Sequence, residues 1–166
     1  SDILRHQLRA TLYYCGILPA LVLGPGLLLD WLLNLKPLQF SSLLKSAVVV
    51  LFGVGVLFVS WSTRDLQKYG EGTPSPLRPA KRLIMDGSYH LCRHPMFFGY
   101  DLILLAAVLT SRSLAALIIS YPVFLFWSIL VLRKEEQLLA RRFKDTYQQY
   151  QRQVSFLIPR LKRSQP

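Results

Sequence analysis

The chain has 166 residues, 52% of them hydrophobic, and a formal net charge of +11. The length points to one domain. Four long apolar runs hold few charges, while the lysines and arginines gather between them; this placement excludes a nucleic-acid partner in spite of the basic balance.

The runs lie near residues 12–33, 46–61, 95–110 and 114–132, which predicts an all-α polytopic membrane protein of about four transmembrane helices in a single domain, 1–166. A span needs roughly 17–25 apolar residues. The first and fourth runs reach that; the second and third need flanking residues, and Lys45 can snorkel outward. Residues 1–11 read as an interfacial lead-in. The first run is long and lacks a small-residue cleavage site, so it reads as a span and not a signal peptide. It carries Pro19 and Gly24-Pro25-Gly26, which predict a bent helix, with packing a simpler cause than a re-entrant break. Gly53-Val54-Gly55 in the second run predicts close helix packing more than a cofactor loop.

Residues 63–94 form the longest polar segment, broken by Gly70-Glu71-Gly72-Thr73-Pro74-Ser75-Pro76 and anchored by Leu83, Ile84 and Met85. They predict a folded cap loop over the cytoplasmic face. The link 111–113 leaves room only for a tight turn, so the third and fourth runs form an antiparallel hairpin. Beyond it, 135–153 keeps helical spacing with Leu138, Leu139, Phe143, Tyr147 and Tyr150 as the less polar positions. This predicts an amphipathic interfacial helix. With four spans, 17 of the 20 lysines and arginines share one side, 2 in 1–10, 6 in 63–96 and 9 in 133–166. That asymmetry places both termini in the cytoplasm, where the basic tails meet membrane lipids. Cys15 and Cys92 give no disulfide framework, and no His/Cys/Glu spacing predicts a metal.

Two constellations carry chemistry. Proline favours the first helical position and pushes the residue before it out of the helix. His94 should therefore cap the third run, with Pro95 opening it and the backbone N–H groups of Met96, Phe97 and Phe98 left free for an anion. Arg93 adds a planar fork suited to a carboxylate. A basic interfacial flank with a simple cap explains the same residues. The second constellation is Glu135-Glu136, at the end of the fourth run, where acids near a bilayer are costly. Successive helical residues point about 100° apart, so the two serve different atoms and one of them is free to be structural. Arg133 at i−3 offers Glu136 an ordinary surface partner. The hairpin brings the donor-rich start and the acceptor-rich end to one face, an arrangement a zwitterionic amino-acid moiety needs. Asp101, six residues past Pro95, is an intramembrane acid able to bind a substrate cation, act as a base or pair with a polar group.

In order along the chain, Gly70-x-Gly72-Thr73-Pro74, Gly87-x-Tyr89, Arg93-His94-Pro95-Met96-x-x-Gly99, Glu135-Glu136-x-Leu138 and Tyr147-x-x-Tyr150 resemble the isoprenylcysteine carboxyl methyltransferase and phospholipid methyltransferase family over roughly residues 65–160. Members are integral-membrane enzymes that use S-adenosylmethionine. The resemblance implies that Tyr89, His94, Pro95, Met96, Gly99, Glu135 and Glu136 bind that cofactor at the cytoplasmic face. With Asp101 read as an intramembrane acid, the candidate catalytic residues are Arg93, Asp101 and Glu136, and the resemblance implies a lipophilic acceptor: a prenylcysteine-like carboxylate, a phospholipid amine or a small thiol. Phe97 departs from members that carry tyrosine there, and so lacks a hydroxyl. A non-enzymatic membrane scaffold and a sterol-reductase-like nicotinamide enzyme are the alternatives; the first needs neither the helix-start donors nor the acids.

Overall fold

In the computed structural model, residues 16–70 and 82–160 are described. They are helical almost throughout, with no strand among them. The elements are α1 (Leu18–Leu32), α2 (Ser42–Gly70), the short α3 (Ser88–Leu91), α4 (Pro95–Ser111), a π-helical segment (Ala116–Ser120) and α5 (Tyr121–Gln153). Among the described residues, two helices are long and apolar enough to cross a membrane, Ser42–Gly70 and Ala116–Gln153. Only 6% and 11% of their most apolar windows is buried. The core helix of a soluble protein would bury most of that surface, whereas here Leu43, Val49, Leu57, Phe126 and Trp127 are left outside. α1 and α4 are shorter apolar helices.

The described residues divide into two units. The first holds those up to Gly55 together with Tyr100–Ser128; the second holds those from Val56 to Gly99 and from Ile129 onward. In the first unit, Val22, Leu104, Val108 and Ala116 form the core, with Leu18, Leu23, Leu117, Tyr121 and Phe124 packed against it. Val22 and Gly26 lie four residues apart, on one face of α1. A Cβ on Gly26 would stand 2.5 Å from the Cα of Ala116, so this glycine lets α1 touch the π-helical segment. α1 continues through Pro25 without breaking, and Pro19 sits in its first turn, where a missing N–H costs nothing. Gly53 departs from expectation: it faces open space, so no close approach uses it.

One end of this unit is tied by polar contacts. Asn34, at φ 53°, reverses the chain after α1, and the Leu35 N–H returns to the Asp30 carbonyl at 2.9 Å. Arg112 turns at φ 59°. Its Nε donates to the Leu38 carbonyl and its own carbonyl accepts from the Leu38 N–H. The Ser113 hydroxyl accepts from the Ala116 N–H at 2.9 Å, and the Asp30 carboxylate accepts from Ala115 at 3.0 Å. These are N-caps for the helix that follows. The tight turn at 111–113 is present, and Asp101 and Tyr121, each ten residues from Ser111, meet across the two helices it joins.

One boundary differs from the sequence reading. α2 runs to Gly70, so residues 63–70 are helix and not the start of a cap loop. The reason is a second buried face: Ser62 and Asp65, three residues apart, are both buried. Residues 71–81 of the expected loop lie outside the described residues. As expected, the fourth apolar run continues as helix into 135–153, with a kink at Lys144, whose backbone is at φ 47°, ψ −125°. Leu139, Phe143, Tyr147 and Tyr150 face inward as the spacing predicts, but Leu138 is 64% exposed.

Gly26→Ala should destabilise the protein by about 1–3 kcal/mol through overpacking against Ala116. Gly24→Ala, in open space two residues away, should be neutral or stabilise by up to about 1 kcal/mol. Thermal melting in detergent tests the pair, and equal losses would refute the close approach.

Candidate cofactor and methyl-transfer site

The second unit gathers most of the sequence-predicted residues. Its framework starts at Asp65, near the end of α2. The Asp65 carboxylate accepts from both the backbone N–H and the hydroxyl of Ser88, each at 2.7 Å. A carboxylate at a helix start satisfies donors that the helix leaves open. Gly87 makes this possible: its φ is +65°, and a Cβ there would lie 2.8 Å from the Asp65 Cγ. The result is α3, one turn carrying Tyr89. The Tyr89 carbonyl accepts from the Tyr150 hydroxyl at 2.6 Å. Sequence reasoning missed Asp65; its signal is an acid three residues after Ser62 on a helix that had been read as a loop.

After α3 the chain extends. Cys92 pairs in parallel with Ser155, the Arg93 N–H donates to the Ser155 carbonyl at 2.9 Å, and the Arg160 N–H donates to the Leu91 carbonyl at 3.0 Å. The Ser155 hydroxyl donates to the Leu91 and Ile158 carbonyls. This seam straps the segment after α5 onto the loop before α4. Cys92 is fully buried in it, and burial pushes its thiol up to about 12, with the His94 backbone pulling weakly the other way. It is a free, unreactive thiol; Cys15 lies outside the described residues.

Arg93 is the hub. Its Nε donates to Glu136 Oε1 at 2.5 Å and its Nη2 to Glu136 Oε2 at 3.4 Å. Its Nη1 donates to the carbonyls of Gln151 at 3.0 Å and Val154 at 2.7 Å, which are open carbonyls at the end of α5. The guanidinium also lies over the Phe156 ring, 5.6 Å from its centroid. The fork that the sequence offers to a ligand carboxylate is thus engaged by the protein itself. So is Glu136, which turns inward to Arg93 instead of to a surface partner. Burial alone would push its carboxyl up; the approach of His94 and the bonds and charge of Arg93 prevail and hold it down at about 2. Glu135, the next residue, is exposed. The two glutamates divide as their angular separation requires.

His94 sits at the N-cap of α4, and its carbonyl accepts the first helical bond from Phe98 at 3.0 Å. This corrects one expectation: the Phe98 N–H is taken, and the free donors reduce to Met96 and Phe97. The His94 ring is buried edge-on against Phe156, with Nε2 3.4 Å from Glu136 Oε1 but out of line for a hydrogen bond. Tyr147 is 1% exposed, and neither His94 Nε2 nor the Tyr147 hydroxyl makes a well-aligned hydrogen bond among the described residues, Glu136 being the acceptor that lies beside both. Burial and the negative Glu136 raise the Tyr147 hydroxyl above the ordinary phenol range. Tyr89 is raised likewise, by burial first and then by Glu135 and Asp65. Buried polar atoms without well-aligned partners are costly, so these two are candidates to meet a ligand. Pro95 and Gly99 are buried and Met96 half-buried in the same unit. Asp101 is the exception: it belongs to the other unit, where the Tyr121 hydroxyl donates to it at 3.1 Å.

Glu136 is ionised at neutral pH and the folded protein holds it at about 2, below its ordinary 4.5. Its contribution to stability is therefore complete above about pH 4.5 and fades as pH falls toward 2. Glu136→Gln should flatten the stability profile across that window. Arg93→Ala should cost about 3–5 kcal/mol, since it leaves a desolvated carboxylate unpaired. Chemical denaturation in detergent at pH 7 and pH 3 reads both, and an unchanged pH profile in Glu136→Gln would refute the pairing.

The chain matches the profile of the phospholipid methyltransferase family over residues 44–146, more than half its length. That region takes in α2, the Arg-His-Pro element and both glutamates. Comparison with curated proteins and with solved structures yields no match. On the strength of the family match, this chain belongs to the phospholipid methyltransferase family.

Proposed function

We propose that the protein is an integral-membrane methyltransferase that takes its methyl group from S-adenosylmethionine and delivers it to a lipophilic acceptor. The observation that carries this reading is the second unit's buried polar cluster. There an ion pair fixes the backbone, and the buried His94 ring, its Nε2 3.4 Å from Glu136 Oε1, and the buried Tyr147 hydroxyl lie beside it. A scaffold has no use for such groups. The donor set suits the cofactor's amino-acid end and ribose: an exposed carboxylate at Glu135, phenol and imidazole groups at Tyr89 and His94, and open N–H groups at Met96 and Phe97.

When bound, S-adenosylmethionine supplies an electrophilic methyl group on a sulfonium. The protein's part is to bind and align, and alignment is worth most in a single displacement. Glu135 faces outward to take the ammonium or a ribose hydroxyl. Glu136 and Arg93 act as positioning residues, since each is bonded to the other and to the chain on either side of Pro95. Pro95 and Gly99 shape the wall with Met96. An amine acceptor needs a base and a carboxylate acceptor needs none; Asp101, which accepts from Tyr121, belongs to the other unit.

The reading extends to topology. α1 and α4 have 15 and 17 residues, so at 1.5 Å per residue they fall about 7 and about 4 Å short of a bilayer core of about 30 Å. We infer that both span with help from interfacial flanks, giving four spans with both termini and the cofactor site cytoplasmic. The acceptor would enter from the bilayer.

Calorimetric titration of detergent-purified protein with S-adenosylmethionine and S-adenosylhomocysteine tests the proposal. Saturable binding is expected, weakened about tenfold or more in Glu135→Gln and in Tyr147→Phe with little loss of stability. Absence of binding to well-folded protein, in detergent and again in lipid, would reject it.

A further inference from the structure

Glu136 and Gln151 belong to one helix, α5, yet the Gln151 side-chain amide donates to Glu136 Oε2 at 3.4 Å. At 1.5 Å per residue a straight helix would hold positions 15 residues apart about 22 Å from each other. The chain therefore doubles back between them. The core of the second unit records the same reversal, since Tyr147, Tyr150 and Val154 pack on Leu139, Ala140 and Phe143. Lys144, at φ 47° and ψ −125°, is the non-helical position inside α5 where the chain turns. A side chain at positive φ is strained, and such strain persists only where surrounding contacts hold it. Hinges are built this way, from one or a few residues that absorb a large backbone rotation between rigid elements.

The contacts that hold the fold-back closed reach the candidate cofactor residues. Tyr150 donates to the carbonyl of Tyr89 at 2.6 Å. Phe156 stands edge-on to the His94 ring, centroids 5.1 Å apart, with the Arg93 guanidinium over its own ring. The Gln151 and Val154 carbonyls accept from Arg93, and the backbone seam joins Arg93 to Ser155 and Arg160 to Leu91. Under this cover His94 is 8% exposed, and Tyr147, on its inner side, 1%. No ligand reaches either ring while the cover is down. Most of the closing bonds are polar, and water replaces polar contacts at little net cost.

We propose that residues 145–160 form a lid over the candidate cofactor site, hinged at Lys144, that lifts to admit and release the cofactor. The identity of the ligand rests on the methyl-transfer reading above; the hinge rests on the fold-back alone. Strain at Lys144 offsets part of the closing contacts, so the lid opens without unfolding the rest of its unit. Closure after loading restores the Arg93 contacts and excludes water from the site.

Hydrogen exchange of the detergent-purified full chain, without ligand and read by mass spectrometry, tests the hinge. Segments 145–160 and 88–93 should exchange together, about tenfold faster than 129–143. Lys144→Gly, which relieves the closed form, should slow that shared exchange; Lys144→Ala, which keeps the strain, should leave it unchanged. Unrelated exchange of the two segments, or equal behaviour of the two variants, would overturn the hinge. A cross-link then tests the passage of ligand. Cys92 and Ser155 pair in parallel, and residues so paired lie about 4.8 Å apart, within reach of a disulfide. Ser155→Cys in a Cys15→Ser background, oxidised with diamide, should bind and release S-adenosylhomocysteine about tenfold more slowly, and dithiothreitol should restore the wild-type rates. Equal rates in oxidised and reduced protein would overturn the lid. If mass analysis shows no cross-link, release from Lys144→Gly against Lys144→Ala decides instead, and equal rates there overturn it. Absence of binding to reduced and wild-type protein alike would reject the methyl-transfer reading and the ligand assigned to the lid, with the exchange pattern still deciding the hinge.

Discussion

A buried charge must find its opposite, and in this protein that constraint falls on Arg93 and Glu136. Both side chains are almost withdrawn from solvent, 12% and 11% exposed. Neither would be tolerable alone. The pairing reaches across 43 residues of sequence and fixes three things together: the direction of the chain into α4, the end of α5, and the strap that returns over Leu91. The apolar spans could pack in many ways without such a contact, because dispersion between aliphatic side chains is undirected. A bidentate ion pair is directed. It gives the second unit one geometry.

The pair also explains the division of labour between neighbouring acids. Glu136 is committed inward, so its basicity is spent on cohesion. Glu135 is turned to solvent by the helix itself and keeps its charge for other uses. The same logic separates the donors around Pro95. One is consumed by the helix, two are not, and the proline contributes none.

Much of the architecture was legible because it depends on local rules. The apolar runs, the proline that opens α4, the three-residue turn and the inward face of Phe143, Tyr147 and Tyr150 follow from composition and period. What was not legible depends on distant partners. Asp65 lies in a polar stretch that reads as loop, and only Ser88, 23 residues on, gives it a reason to be buried. Arg93 looks like a ligand-binding arginine until Gln151, Val154 and Glu136 are seen to occupy it. Gly53 reads as a packing glycine but faces open space, whereas Gly26 and Gly87 have close neighbours. Sequence reports that a residue is small or charged; the tertiary partner decides what that is for.

The seam between Cys92 and Ser155 has a kinetic consequence. A thiol held near 12 and sealed from solvent is almost wholly protonated at neutral pH, and so nearly inert to alkylating reagents. It becomes reactive only while the strap is lifted. In a protein whose other cysteine has been replaced, the rate of Cys92 alkylation therefore counts those opening events. The molecule carries its own clock for how often its C-terminal segment lets go.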